Sequence, residues 1–330
     1  MCEHRRGFGV VKRANEGDDV SGTIVVLGSY VADVTFRAAR LPAWGETLMG
    51  SATATGPGGK GSNQAVAAAR AAKGTASRVM FVSKVGDDAF GEMGRRVWAE
   101  AGVDDSLVGT GDVATGAAAI LVDEARGENA IIVVPGACAT LTVAEVEAAG
   151  EAIAGAAMLL VQLELPMENV ERGLQLARAA GVRTMLNPAP ARALTDAMLG
   201  MVDYLVPNES EAALLTGMRV ESVEDAERAA QALRARGARH VVLTMGERGA
   251  LVCAEDGSVT MVAAFDAGKV VETTGAGDAL CGGLAAALVQ GRELVEAVRF
   301  GCAAAGISVT RAGTAPSMAT REEIEALMRR

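Results

Sequence analysis

Val271–Val289 reads VETTGAGDALCGGLAAALV. It opens on a carboxylate, Glu272, turns through Gly275, Ala276 and Gly277 to a second, Asp278, and continues as an Ala/Leu run at helical spacing. A glycine turn entering a helix leaves the first backbone N–H groups without partners at the positive end of the helix dipole, where a phosphoryl group can be held. Asp278 falls in the first turn. A carboxylate there is ordinarily a favourable helix-start charge. It becomes a candidate catalytic base only if other stretches supply pockets for a substrate and a nucleotide.

Upstream of this stretch, from about residue 142, apolar runs alternate with helical patterns. Strands are expected at 157–162, 182–186, 203–206, 239–244 and 249–253, with helices between most of them. That alternation implies a parallel sheet covered by helices on both faces. Each strand runs out into polar residues: Leu163, Glu164 and Pro166; Asn187, Pro188, Ala189 and Pro190; Asn208, Glu209, Ser210 and Glu211; Thr244 through Gly249. One such end would be an ordinary turn. Together with Asp33 and Asp278 they would line one sheet edge and form a cleft at the carboxyl ends of the strands, where open α/β sheets bind ligands.

The amino-terminal half has another pattern. TIVVL, Thr23–Leu27, reads as a buried parallel strand. Residues 30–55 mix apolar with polar positions, as strands with one exposed face would, and a hairpin is expected over 116–134 around Glu124–Asn129. These pieces belong in a small separate sheet. Between them, Gly58, Gly59, Lys60, Gly61, Ser62 and Asn63 lead into the Ala-rich helix NQAVAAARAA. The loop is not a P-loop, because Gly61 follows Lys60 where a Ser or Thr must hold magnesium. Gly56, Gly58 and Gly61 satisfy GxGxxG, yet no acidic residue about 20 positions on serves a ribose diol, which weighs against a dinucleotide site. Two readings remain for the loop itself: a glycine segment that lets Lys60 and Asn63 approach a polyhydroxylated ligand, or a plain helix start with a solvated lysine.

Composition bounds the rest. The chain has 330 residues, half of them hydrophobic but only 3% aromatic, so its core must be built from Ala, Val, Leu and Met. That length fits one α/β domain with an appendage. A net charge of -10 argues against broad nucleic-acid or anionic-membrane binding while leaving room for a local anion pocket. Cysteines at 2, 138, 253, 281 and 302 form no CxxC pair, and with two histidines they argue against zinc and for reduced thiols in the cytoplasm. HRRGFGVVKR near the start has the twin arginines of an export signal, but charged residues follow where an apolar region is required. Residues 1–22 are expected to form a disordered polar extension, and no run reaches the roughly 18 apolar residues of a membrane span.

Five separated motifs, GGKGSNQAVAAAR, QLELP, NPAPAR, PNESEA and TTGAGD, occur in an order that resembles the ribokinase-like (PfkB-type) sugar kinases over roughly residues 23–328. The resemblance implies a doubly wound, mostly parallel α/β sheet with a small β-sheet lid, formed within about 30–56 and 116–134, that often clasps a second subunit as a homodimer. It implies ATP-dependent phosphorylation of the 5-hydroxyl of a pentose, D-ribose first, with 2-deoxyribose or another sugar or nucleoside as the alternative, and with Mg2+ and K+ as cofactors. On the same basis Val31, Asp33, Gly59, Lys60, Asn63 and Glu164 fall at sugar-contacting positions. Asn208 and Glu211 match the NxxE motif that organises magnesium and phosphates. Thr244, Gly246, Glu247, Gly249, Gly277 and Cys302 match nucleotide contacts, Gly275, Ala276 and Gly277 an anion hole, and Asp278 the base. Glu272, Thr274, Ser308, Arg311, Gly313 and Ser317 correspond to a monovalent-cation site, contributed mostly by carbonyls.

Three positions depart from that pattern. Val31 stands where Asn is usual and removes a hydroxyl contact, which points toward a deoxy sugar or weaker ribose binding. Glu272 replaces Asp and adds a methylene to the cation site. Leu280, Cys281 and Cys302 replace residues that are commonly aromatic, Asn and His; both cysteines read as small buried hydrophobes.

Overall fold

The computed structural model describes residues 22–330, so all of the 1–22 extension but Gly22 lies outside the described residues. Strand β1 (Thr23–Leu27) leads into the lid strands β2 (Val31–Ala38) and β3 (Ala52–Gly58), then helix α1 (Lys60–Ala71), β4 (Arg78–Gly86) and α2 (Ala89–Ala101). Two short strands, β5 (Val103–Asp104) and β6 (Val108–Gly111), precede the hairpin β7 (Thr115–Asp123) and β8 (Glu128–Gly136). Alternation then sets in: α3 (Val143–Ala148), α4 (Gly150–Ala154), β9 (Met158–Val161), α5 (Met167–Ala180), β10 (Arg183–Leu186), α6 (Asp196–Leu199), β11 (Tyr204–Leu205), α7 (Glu209–Thr216), α8 (Val223–Ala235) and β12 (His240–Thr244). The chain finishes with β13 (Ala250–Cys253), β14 (Val259–Val262), α9 (Ala276–Val289), α10 (Leu294–Ser308) and α11 (Arg321–Met328).

The main sheet has the order β14-β13-β12-β11-β10-β9-β1-β4-β5, with β6 also on β4. From β5 to β12 neighbours are parallel; β13 and β14 pair antiparallel, because the stretch from Thr244 to Ala250 is a tight turn with no room for a crossover helix. The order reverses direction between β1 and β9, so the crevice outside their carboxyl ends is a topological switch point. The alternation of side chains along β1 separates two cores. Ile24 and Val26 pack with α1, α9 and α10, whereas Val25 and Leu27 pack with α5 and α8 on the other face.

With so few aromatic residues, close helix approach does the packing. From Asp278 to Val289 every residue of α9 is buried, and a Cβ on Gly282 would lie 2.5 Å from the Ala67 Cβ of α1. Gly282→Ala would therefore overpack this seam, at a cost of about 1–3 kcal/mol. The second sheet runs β3-β2-β7-β8, and β8 is its free edge, with Ile131, Ile132, Val133 and Val134 all more than half exposed.

Candidate active site

Helix α1 begins at Lys60, earlier than the sequence pattern suggests, because Gly59 adopts φ 83° and caps it. That conformation is open to glycine and strained for other residues. Lys60, Gly61, Ser62 and Asn63 are thereby fixed in the first helical turn, against the end of β1, and are not a flexible loop. The Lys60 N–H donates to Glu164 Oε2 at 2.8 Å, and the Ser29 hydroxyl donates to the same oxygen. Glu164 follows β9, so the switch point joins β1, α1 and β9 through one carboxylate.

Asp278 lies in the first turn of α9 behind its cap, Gly275, whose φ is 84°. It is 5% exposed. Asn63 Nδ2 donates to its Oδ2 at 3.1 Å and Gln64 Nε2 to its Oδ1 at 2.9 Å. Burial pushes its carboxyl above the usual range, while Lys60 and the two amides pull it back. Lys60 feels the mirror effect: burial lowers its pKa, but Asp278, Glu164 and Glu211 outweigh it and hold the ammonium raised. The Asn63 Oδ1 is buried without a partner, an acceptor available to a hydroxyl group.

Asp33, on β2, lies at the lid side. Burial first, then the charges of Glu164 and Glu272, push its pKa up to about 6. Val31 shares its face two residues earlier and is nearly buried, paired to Gly58 on one side and Gly116 on the other. The six positions expected to touch a sugar thus come from β2, the start of α1 and the end of β9, with Glu164 linking the Asp33 side to the Asp278 side.

Two cavities meet beside Asp278. The smaller, about 170 Å³, is lined by Lys60, Asn187, Asn208, Glu211, Gly275 and Asp278, among others. The larger, about 400 Å³, is lined by Gly246, Glu247, Gly249, Phe265, Leu280 and Cys302 and has mostly apolar walls. Thr244 and Gly277 border both. All six positions expected to touch a nucleotide beyond Asn208 and Glu211 therefore line one cleft. The Cys302 thiol is pushed up to about 12 by burial, which suits a packing role and not reactivity.

The anion turn is narrower than the motif suggests. The Ala276 N–H is turned back onto the Thr273 carbonyl at 3.2 Å, leaving Gly277 and Asp278 as the free amide donors of the helix start. Asn208 and Glu211 form a capping box at the head of α7: Glu211 N–H donates to Asn208 Oδ1 at 2.8 Å, and Asn208 N–H to Glu211 Oε2 at 2.8 Å. With those oxygens engaged, the pair is better suited to hold an ion through water than by direct ligation. Burial raises the Glu211 carboxyl, and Asn208 and Lys60 oppose the rise. Glu272 accepts from the Gly313 N–H at 2.9 Å, and the Arg311 guanidinium is drawn away to Glu323. The carbonyl-bearing turn 308–317 thus keeps the Glu272 charge beside it, while the Arg311 guanidinium, paired with Glu323, also reaches the Ser317 carbonyl at 3.5 Å.

Sequence reasoning put Asn187 on the cleft edge without a role and missed Gln64, Gln162 and Ser29, the polar groups that hold the ones it named. The signal was present in part: Gln64 is a long polar residue on the buried side of an Ala-rich helix, where an apolar one is the norm.

The pfkB family carbohydrate kinase model matches residues 21–321. The chain belongs to the pfkB family of carbohydrate kinases. It is 38% identical over 302 residues to the ribokinase of Haemophilus influenzae, covering 91% of this chain and 96% of that one. It is 35% identical over 301 residues to the deoxyribokinase of Salmonella typhimurium, with the same coverage. Among solved structures, the ribokinase of Arabidopsis thaliana complexed with ribose and ATP superposes with a TM-score of 0.87 at 29% identity, covering 94% of this chain and 99% of that one. As a pfkB kinase the chain is a phosphotransferase acting on a sugar hydroxyl.

Proposed function

We propose that this pfkB kinase transfers the γ-phosphoryl group of ATP to the 5-hydroxyl of D-ribose, giving ribose 5-phosphate and ADP. The observation that carries the reading is the position of Asp278, buried at the seam between the two cavities, next to free helix amides. The sugar lies against Val31, Asp33, Gly59, Lys60, Asn63 and Glu164. The nucleotide occupies the apolar cleft, its base near Leu280 and Cys302 and its phosphates toward Thr244 and Gly277. Asp278 takes the proton of the attacking hydroxyl as the new O–P bond forms and the bond to the β-phosphate oxygen breaks. The Gly277 and Asp278 amides and the Lys60 ammonium face the charge that develops on the phosphoryl oxygens.

Magnesium, held through water near Asn208 and Glu211, would supply neutralisation of the phosphate charge. A potassium ion fits Glu272 with the carbonyl-bearing positions Thr274, Ser308, Arg311, Gly313 and Ser317. The exposed β8 edge supports a homodimer formed through the lid, and the four buried free thiols among the described residues support a reducing, cytoplasmic setting.

One observation favours a second reading. Val31 offers no hydrogen bond to a sugar hydroxyl, and a deoxyribokinase is among the relatives. An ADP-release assay across ribose, 2-deoxyribose, fructose and adenosine, with potassium or a large organic cation, tests both readings. Ribose turnover that is highest, potassium-stimulated and abolished in Asp278→Asn is the expected result. Near wild-type turnover in Asp278→Asn would remove the base assignment.

A further inference from the structure

A chain of buried amides crosses the carboxyl edge of the sheet and ends on Asp278. Asn187, just after β10, donates from Nδ2 to the Val206 carbonyl at 2.9 Å. Its Oδ1 therefore faces the other way and accepts from Gln64 Nε2 at 3.1 Å. Gln64 Oε1 accepts from Gln162 Nε2 at 2.6 Å, and the second proton of the same Gln64 Nε2 goes to Asp278 Oδ1 at 2.9 Å. Gln64 and Gln162 are fully buried. Gln64 lines neither cavity beside Asp278.

The orientation of each amide follows from the one before. A backbone carbonyl can only accept, so Val206 fixes Asn187; Asn187 then presents an oxygen, so Gln64 must present its nitrogen. Gln162 donates from behind to the Gln64 oxygen, its own Oε1 being buried without a partner. Turning the Gln64 amide over would set Oε1 against two acceptors, Asn187 Oδ1 and the Asp278 carboxylate, and Nε2 against the Gln162 amide nitrogen. Gln64 is thus obliged to donate to Asp278. Asn63 donates to the other oxygen, so the carboxylate is held at both ends and its plane is fixed.

We propose that Gln64 is a positioning residue of the phosphoryl transfer: held in one orientation by Asn187 and Gln162, it fixes the plane of the Asp278 carboxylate and aims it into the cleft. The inference rests on Asp278 being the base. Other groups around that carboxylate act on it as well: Lys60 from α1 favours its charge, while Glu164 from the loop after β9 opposes it, and Glu211 on α7 and Cys281 one turn along α9 are coupled to it. Unlike Lys60, Glu164 and Glu211, Gln64 acts without a charge of its own, so its removal changes the base and leaves the net charge of the site alone.

Gln64→Met keeps the length of the side chain and removes the donor. The expected result is a fall in kcat of about 10–100-fold with the ribose KM within about threefold. The acidic limb of the kcat–pH profile moves to higher pH, because loss of a donor to the charged form raises the pKa of the base. Gln162→Met leaves both donors facing Asp278 and removes only the bond that anchors the Gln64 Oε1, which loosens the Gln64 amide, so it gives the same changes on a smaller scale and serves if Gln64→Met does not fold. An acidic limb that stays in place in whichever variant folds, or a KM effect without a kcat effect, overturns the proposal. Asp278→Asn measured alongside separates the two readings: if it retains turnover the base assignment falls, whereas an inactive Asp278→Asn beside a Gln64→Met of wild-type profile sinks the role of Gln64 alone.

Discussion

The Thr314 hydroxyl donates to the Pro57 carbonyl at 2.8 Å, joining the turn after α10 to the end of lid strand β3. Pro57 is paired with Ala32 on β2, beside Asp33. The same turn gives the Gly313 N–H to Glu272, and a Cβ on Gly275 would rest on Thr314 at 3.4 Å. One buried hydroxyl therefore ties together the lid, the anion turn and the Glu272 carboxylate. Thr314→Val keeps the volume and leaves the Pro57 carbonyl unpaired, a loss of about 1–3 kcal/mol. We expect the sugar KM to rise about tenfold with a smaller change in kcat. Thr314→Ser should restore it; an unaltered KM in the valine variant would show that the turn and the lid are not coupled.

On the proposed function, Asp33 should make sugar binding depend on pH. With its pKa near 6, the carboxylate protonates as pH falls through that value and loses acceptor capacity, so the ribose KM should climb below about pH 6. The effect on stability has the opposite sense. A raised native pKa contributes stability that is complete below the unfolded value near 4 and is lost as pH rises through about 6. Asp33→Asn should accordingly raise the Tm of the sugar-free protein at about pH 8 and raise it less at about pH 5, while weakening sugar binding at both. Thermal melts showing an equal gain at the two pH values would contradict this account.

On the proposed function, Val31 faces one sugar hydroxyl. Its side chain is on the same strand face as Asp33, and a Cβ on Gly116 would strike its Cγ1 at 2.8 Å, so the space around it is tight. Val31→Asn is similar in volume and restores a hydrogen-bonding group. The ratio of kcat/KM for ribose over 2-deoxyribose should rise about tenfold or more. If competition assays give the same ratio for both proteins, position 31 does not read that hydroxyl.

The apolar edge strand gives a prediction about assembly. Ile132 and Val134 are 65% and 60% exposed on one face of β8, and an unpaired, apolar edge is a surface that proteins cover. Ile132→Glu should convert the proposed dimer to a monomer in light scattering while leaving the main domain folded by circular dichroism. A dimer that survives the change would place the contact elsewhere.

Much of this molecule could be read from its residues, and the parts that could not have physical causes. TIVVL became β1 at the residues expected, and the hairpin appeared as β7 and β8, because apolar runs bounded by glycine turns admit few alternatives. Strand β14 escaped notice because half of it faces solvent and it has only four residues. The start of α1 was misplaced since a positive-φ cap at Gly59 leaves no mark on a glycine-rich string. In the site, Glu164 was legible as a polar group at a strand end and Asp278 as a carboxylate in a helix start, whereas Lys60 and Asn63 had two readings until the family resemblance gave them a role. The relay through Gln162, Gln64 and Asn187 was not, because nothing in a sequence tells which amides 98 and 123 residues apart will share a proton.

The protein's two tryptophans occupy opposite extremes. Trp98 is wholly buried, edge-on to Tyr30 and Phe81, and its indole N–H donates to the Ser62 hydroxyl one residue from Asn63. Trp44 sits fully in solvent on the turn between β2 and β3. Their emission should therefore separate by colour, blue from the core and red from the lid, with iodide silencing only the second. The chain carries its own two-channel optical gauge: movement or covering of the lid can be followed in one channel while the other reports on the integrity of the site beneath it, with no label attached.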